Sequence, residues 1–284
     1  MPGLAAGITS GQPVYEAVDA PGGICSSYYV RPGETTRLHQ PPSDGEAYRF
    51  EIGGGHWIFG GDPTILHFVD RLAPMRRYER LSAVYFRDDD LYVDYPIQNN
   101  LRFMPPEFAS RALIEMSAPA GRFRTMQEWQ KEYFGSALCE KFFFPFHDLY
   151  TAGLYTEIAP QDAYKSPVDL SKAIQGMFAP PESSGYNVTF AYPSEGLNQL
   201  ALEMARRGDV RYGKRAVRID VQAKRVEFSD GSSVPFERVL CTLPLNHTMA
   251  MTGLTVEARP DPYSSVLVLN IGAVKGPRCP PHHW

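Results

Sequence analysis

The chain has 284 residues, 43% hydrophobic and 21% charged, with a formal net charge of −4. That length buries a sizeable core, in one large or two medium domains. No clustered basic run is present, which argues against a nucleic-acid footprint. No run of about 18 apolar residues offers a membrane span, and no signal peptide is expected, since no n-region and h-region precede the glycine motif. Cys25, Cys139, Cys241 and Cys279 are scattered without C-x-x-C spacing, so a zinc or redox site has no support. Free thiols imply a reducing compartment, and the expected location is the cytoplasm.

Gly3-Leu4-Ala5-Ala6-Gly7 opens a short helix that reaches about Ser10, and Gly11-Gln12-Pro13 ends it. Val14-Tyr15-Glu16 predicts a strand finishing in an acid, and Pro21-Gly22-Gly23 predicts a turn. In a βαβ nucleotide site, glycines let the backbone approach a pyrophosphate at the helix N-terminus. An acid ending the second strand takes ribose hydroxyls. Gly3 and Glu16 are therefore candidates for those two tasks. The first strand and first two glycines of G-x-G-x-x-G would lie before Met1.

Residues 31–47 are polar and turn-rich, predicting a surface loop. Tyr48–Ile52 alternates like a strand and leads into Gly53-Gly54-Gly55-His56-Trp57. Pro63 opens a helix in which Ile65, Leu66, Phe68, Val69 and Leu72 repeat at helical spacing. Arg76-Arg77 reads as a solvated helix end. Leu81–Phe86 and Leu91–Tyr95 predict two strands joined at Arg87–Asp90. Residues 105–150 read as mostly helical. Trp129, Tyr133 and Phe134 share one side of a helix, and they and the run Phe142–Phe146 are assigned to the core. Tyr150 and Tyr155 are assigned to packing in preference to a substrate cleft.

Residues 160–187, rich in Pro, Ser and Gly, predict irregular chain, and Asn198–Arg207 predicts a helix. Ala216–Val221, Arg225–Phe228 and Arg238–Thr242 read as strands, with Asp230-Gly231 as a tight turn between the last two. Ser264–Ile271 reads as a further apolar strand. His282-His283 are adjacent, a spacing that rarely shares one metal ion.

Six stretches carry a resemblance by their order and approximate spacing. They are Gly3–Ala6 with Glu16 and Pro21–Gly23; Gly54-Gly55-His56-Trp57; Tyr95–Asn100; Glu128-Trp129 through Phe134-Gly135 to Glu140–Phe146; Tyr192–Gly196; and Cys241–Leu245. Together they resemble the flavoprotein superfamily of UDP-galactopyranose mutases, amine oxidases and protoporphyrinogen oxidases, closest to the mutase-like branch. The resemblance implies an α/β fold: an incomplete Rossmann-like FAD-binding domain with an inserted, largely helical substrate domain. Residues 1–60 and 186–250 would form the FAD domain and residues 61–185 the insertion. Residues 251–284 would start a second substrate-domain segment, and the chain would be truncated at both ends.

The same resemblance implies FAD as cofactor and assigns its contacts. Gly3 would sit under the pyrophosphate and Glu16 would bond the adenosine ribose. Gly22 and Gly23 would line the cofactor loop, and Gly54, Gly55 and His56 the loop beside the isoalloxazine ring. Val217 would offer backbone groups to the adenine, and Thr242 and Pro244 would lie in the last nucleotide-domain loop. His56 is the catalytic candidate, because imidazole is the side chain poised to titrate near neutral pH.

The chain departs from the mutases at two places. Ala163–Pro167 offers Lys165 where they carry a diphosphate-clamping arginine, and a lysine lacks the bidentate fork. Gly185–Phe190 replaces their Asn/Asp-Arg-Tyr-Phe segment. The expected function is an FAD-dependent oxidoreductase that moves hydride between a small-molecule substrate and flavin. The first alternative is a mutase-like isomerase of a nucleotide sugar, with Arg124, Lys141 and Lys165 as candidate anion clamps. The second is a non-catalytic fragment with weak or no FAD binding. The sequence does not set the oligomeric state.

Overall fold

The computed structural model describes residues 1–118, 120–160, 168–180, 188–258 and 261–283. The chain divides into two compact units. One contains Met1–Arg77, Ala191–Pro260 and Val268–Ala273, and the other Tyr78–Phe190, Asp261–Leu267 and Val274–Trp284.

The first unit opens with helix α1 (Pro2–Ser10), which starts on a proline and closes at Gly11 in the left-handed conformation, φ 68°. Strands β1 (Val14–Tyr15), β2 (Ser27–Val30), β3 (Tyr48–Glu51) and β4 (Ile58–Phe59) follow, then helix α2 (Pro63–Asp70). Asp62 caps α2 by accepting from the Thr64 N–H at 2.7 Å. The chain leaves the unit along β5 (Met75–Glu79). Arg76 and Arg77 are strand residues, not a helix end. Pro74 disfavours helix at Ala73, and α2 stops four residues earlier, where Asp70 pairs with Arg77 at 3.1 Å.

The second unit carries a hairpin, β6 (Ala83–Phe86) and β7 (Leu91–Asp94), turned at Arg87–Asp90 as expected. Its helices are α3 (Pro106–Met116), α4 (Met126–Leu138), α5 (Phe144–Tyr150) and α6 (Leu170–Gln175). Thr125 and Glu128 form a reciprocal capping box at the start of α4. Trp129, Phe134, Leu138 and Phe143 are buried in one cluster, with the Phe134 and Phe143 rings stacked 4.1 Å apart. The run Phe142–Phe146 is not wholly core, because Phe146 is 44% exposed. Tyr150, assigned to packing, is 63% exposed. Residues 142, 146 and 150 share one stripe at i, i+4 and i+8 and stack outward, while Phe143 and His147 turn inward. Tyr155 is buried, as expected. Helix α6 lies within the stretch read as irregular, held at its start by Asp169 accepting from the Lys172 N–H. Residues 161–167 and 181–187, including Lys165 and part of the Gly185–Phe190 segment, lie outside the described residues.

The chain re-enters the first unit along β8 (Thr189–Pro193) and forms helix α7 (Leu197–Ala205). Leu4 of α1 meets Leu197, Leu200, Ala201 and Met204 of α7 in the unit's core, together with Leu72 and Ala73. Strand β9 (Val210–Arg211) pairs parallel with β1. Strands β10 (Ala216–Asp220), β11 (Arg225–Phe228) and β12 (Ser233–Pro235) form an antiparallel sheet, and helix α8 (Leu245–Thr252) follows. The Asp230-Gly231 turn therefore joins β11 to β12 and does not lead to Arg238–Thr242. Neither Arg238–Thr242 nor Ser264–Ile271 is a strand: neither has a ladder partner among the described residues, and Leu240 is 71% and Leu267 84% exposed. Apolar alternation alone does not make a strand whose N–H and C=O groups go unpaired.

His147 is buried inside α5, where its Nδ1–H donates to the Phe143 carbonyl at 2.8 Å. The Gln130 amide donates to Nε2 at 3.2 Å. Burial lowers its pKa below the ordinary 6.5. Above pH 6.5 the imidazole is neutral both folded and unfolded, and it imposes no penalty. As pH falls below 6.5 the unfolded chain binds the proton first, so stability declines until the lowered folded value is reached. Melting temperatures measured across that window should fall more steeply for the wild type than for His147→Gln.

Candidate functional site

Four pieces of the first unit converge on the residues singled out from the sequence. The first is the start of α1. Pro2 occupies its first position and no side chain caps it, so the N–H groups of Gly3 and Leu4 lie at the positive end of the helix without a capping acceptor. A methyl group on Gly3 would lie 3.4 Å from Thr242 Oγ1 and 3.8 Å from Val14 Cγ1. The backbone at Gly3 thus approaches both β1 and the Cys241–Pro244 segment.

The second piece is Glu16, directly after β1. Its N–H donates to the Arg211 carbonyl at 3.0 Å, and its own carbonyl accepts from the Lys214 N–H at 2.8 Å. The carboxylate Oε1 accepts from the Val18 N–H at 3.1 Å, leaving the second oxygen for a further donor.

The third and fourth pieces are two glycine loops bonded to each other. Gly22 has φ 105°, and a methyl group there would lie 2.6 Å from Ser26 Oγ and 2.8 Å from Ala201 of α7. Only glycine fits that turn. Gly23 follows with nothing within 4 Å of its missing side chain. The Gly53 N–H donates to the Ile24 carbonyl at 3.2 Å and the Ile52 N–H to the Ser26 carbonyl at 2.9 Å. These bonds place the Gly53–His56 loop beside the Gly22-Gly23 loop. The His56 Nδ1 lies 2.8 Å from the Gly54 carbonyl. A carbonyl only accepts, so Nδ1 carries the proton and Nε2 is the ring's acceptor.

The remaining sequence candidates are placed less closely. Val217 lies where the β10–β11 register shifts and is 49% exposed. Its link to Glu16 runs through the backbone bond of Lys214, three residues earlier. Pro244 precedes α8, where its carbonyl accepts from the Thr248 N–H at 3.0 Å. Lys141, an anion-clamp candidate, is paired with Asp89 at 2.5 Å.

Sequence reasoning missed a cluster under the second glycine loop. Glu51, the last residue of β3, accepts from Ser27 Oγ at 2.7 Å and from the Tyr192 hydroxyl. Glu51 ends an alternating strand, but its tyrosine partner lies far along the chain, and a one-residue view of either reveals no pair.

The flavin-containing amine oxidoreductase family matches residues 13–266. The chain belongs to this family. Its fold is also that of solved flavoproteins. A reduced UDP-galactopyranose mutase is 23% identical with a TM-score of 0.71, over 84% of this chain and 51% of that one. A protein assigned as protoporphyrinogen oxidase from Exiguobacterium is 13% identical with a TM-score of 0.53, over 88% and 58% of the two chains. The chain spans about half the length of these structures. The architecture is thus the α/β fold of this flavoprotein family, with β1 and β9 under α1 and α7 as its partial Rossmann-like portion. FAD is the cofactor of the family. Among the described residues no helix is long and apolar enough to cross a membrane.

The donor set suits a dinucleotide. The uncapped start of α1 offers N–H groups to phosphate, Glu16 offers a carboxylate oxygen to hydroxyls, and the Gly22-Gly23 turn keeps side chains out of the way.

Proposed function

We propose that this chain binds FAD along its first unit and acts as an oxidoreductase on a small molecule. The observation that supports it is the pair of backbone bonds joining the two glycine loops, in a chain of a flavin-containing family. The α1 N–H groups and the Gly22-Gly23 turn receive the diphosphate, and Glu16 receives the ribose hydroxyls. The loop Gly53–His56 faces the ring, with His56 Nε2 as a proton acceptor held in place by its Nδ1 bond. When bound, the flavin supplies hydride exchange with the substrate, and the protein supplies binding, orientation and exclusion of water. A nucleotide-sugar isomerase is the second reading, and of its clamp candidates Lys141 is paired with Asp89.

The ribose assignment is tested by Glu16→Ala. Flavin-fluorescence titration should show FAD binding weakened by about 1–3 kcal/mol, roughly 5- to 150-fold, the size of a lost charge-assisted hydrogen bond. Equal affinity in the two proteins would remove Glu16 from the site.

A further inference from the structure

We infer that Glu51 is a positioning residue for the Gly53–His56 loop, and that Ser27 and Tyr192 hold its carboxylate to that task. The inference rests on the FAD reading for its consequence, though not for its geometry.

Glu51 ends β3, and its backbone runs directly into the loop. One carboxylate oxygen accepts from Ser27 Oγ at 2.7 Å and the other from the Tyr192 hydroxyl. Its carbonyl accepts from Asn270 Nδ2 at 3.1 Å. Ser27 is 1% exposed, and its oxygen also accepts from the Asn198 N–H at the start of α7, 3.3 Å away. A chain of donors thus runs from the α7 N-terminus through Ser27 to the carboxylate, with Tyr192 donating from the other side. Hydrogen bonds aligned this way polarise one another, and the positive helix end favours the anion they surround.

The anchors matter for direction. Ser27 begins β2, immediately after the Gly22-Gly23 loop, and the Ile52 and Gly53 N–H groups bond to Ser26 and Ile24 of that same segment. Tyr192 lies on β8, and its ring packs against Trp57 at the far end of the Gly53–His56 loop, centroids 5.4 Å apart. Glu51 therefore ties the strand end that leads into the loop to one support, and Tyr192 packs on Trp57, which follows it, from another. Burial, then the Glu51 bond, hold the Tyr192 phenol well above its usual pKa, so it stays a donor. A carboxylate accepts from both hydroxyls at once. An amide of the same size has one accepting oxygen and presents an NH₂ to the other partner.

The test uses Glu51→Gln and Tyr192→Phe, read first by amide exchange in the protein without added flavin. Both variants should speed exchange at Ile52 and Gly53 while leaving the buried Leu138 of the second unit unchanged. Unchanged exchange at Ile52 and Gly53 would overturn the inference, whether or not flavin binds. The second reading compares FAD with ADP, which lacks the ring. Glu51→Gln should weaken FAD about tenfold, one charge-assisted hydrogen bond's worth, and leave ADP within about twofold. Equal weakening of FAD and ADP would show a general structural role and overturn the positioning claim. Should Glu51→Gln fail to fold, Tyr192→Phe carries both readings, since removing one hydroxyl preserves the ring packing on Trp57. A wild-type protein that binds neither FAD nor ADP refutes the proposed function alone, and the exchange result then decides the role of Glu51.

Discussion

Phe134→Ala is expected to destabilise the second unit by about 3–5 kcal/mol, the cost of removing a large aromatic from a closed core. Phe134 has no exposed surface, stacks on Phe143 at 4.1 Å and meets Trp129 edge-on at 5.7 Å. The walls of the resulting cavity are poorly placed to collapse into it. Phe143 sits in the turn Cys139–Phe143 between α4 and α5, and the chain beside Phe134 is fixed by the non-helical Gly135, φ 76°. Glu115 holds that kink from outside, accepting from the Ala137 N–H at 2.6 Å. Denaturant unfolding followed by near-ultraviolet circular dichroism measures the loss directly. A shift below about 1 kcal/mol would mean that the cluster relaxes around the hole. Phe134→Leu, which keeps most of the volume, should cost roughly 1.5 kcal/mol or less by the same measurement.

Gly176→Ala is expected to cost about 3 kcal/mol or more, at the upper end of overpacking substitutions. Gly176 closes α6 with an ordinary helical φ of −65°, so backbone strain is not the reason for glycine there. Space is. An added methyl would overlap the Asn99 carbonyl oxygen and lie 2.6 Å from its carbon. Backbone has no rotamer in which to retreat. Asn99 is fully buried, and Arg102 bonds the Gly176 carbonyl at 3.3 Å and the Asn100 side chain at 2.8 Å, so the two segments are clasped where the methyl would intrude. Unfolding of Gly176→Ala should reveal this cost. Stability within about 0.5 kcal/mol of the wild type would show that α6 shifts freely on its neighbour.

Local chemistry made much of the fold legible. Gly11 and Pro63 mark helix ends by local chemistry that needs no tertiary partner, and those ends stand where the sequence puts them. The β6–β7 hairpin was equally local. The failures share a different cause. Arg238–Thr242 and Ser264–Ile271 alternate or run apolar like strands, yet a strand requires a neighbour, and its pattern carries no information on whether one is there. Arg76-Arg77 was misplaced because cationic residues suit a helix end and a solvated strand equally. Phe146 was placed inward on hydrophobicity, although its register with Phe142 and Tyr150 turns it outward.

The site was legible to the extent that it is written in glycine. Gly22 and Gly53 stand out because a turn or a close approach demands glycine there, and the structure places them with Gly3, His56 and Glu16 in one unit. The pairing of Glu51 with Tyr192 was not legible, because a half-buried carboxylate reads like any strand-end acid until its donor is seen.

The central claim is that the first unit holds FAD, and titration of the purified chain with FAD tests it most directly. Saturable quenching of flavin fluorescence, with a shifted absorption band and a raised melting temperature, is the expected result. Free-flavin fluorescence and an unmoved melting temperature at millimolar FAD would contradict it, and would leave the chain with the fold of a flavoprotein and no hold on the flavin.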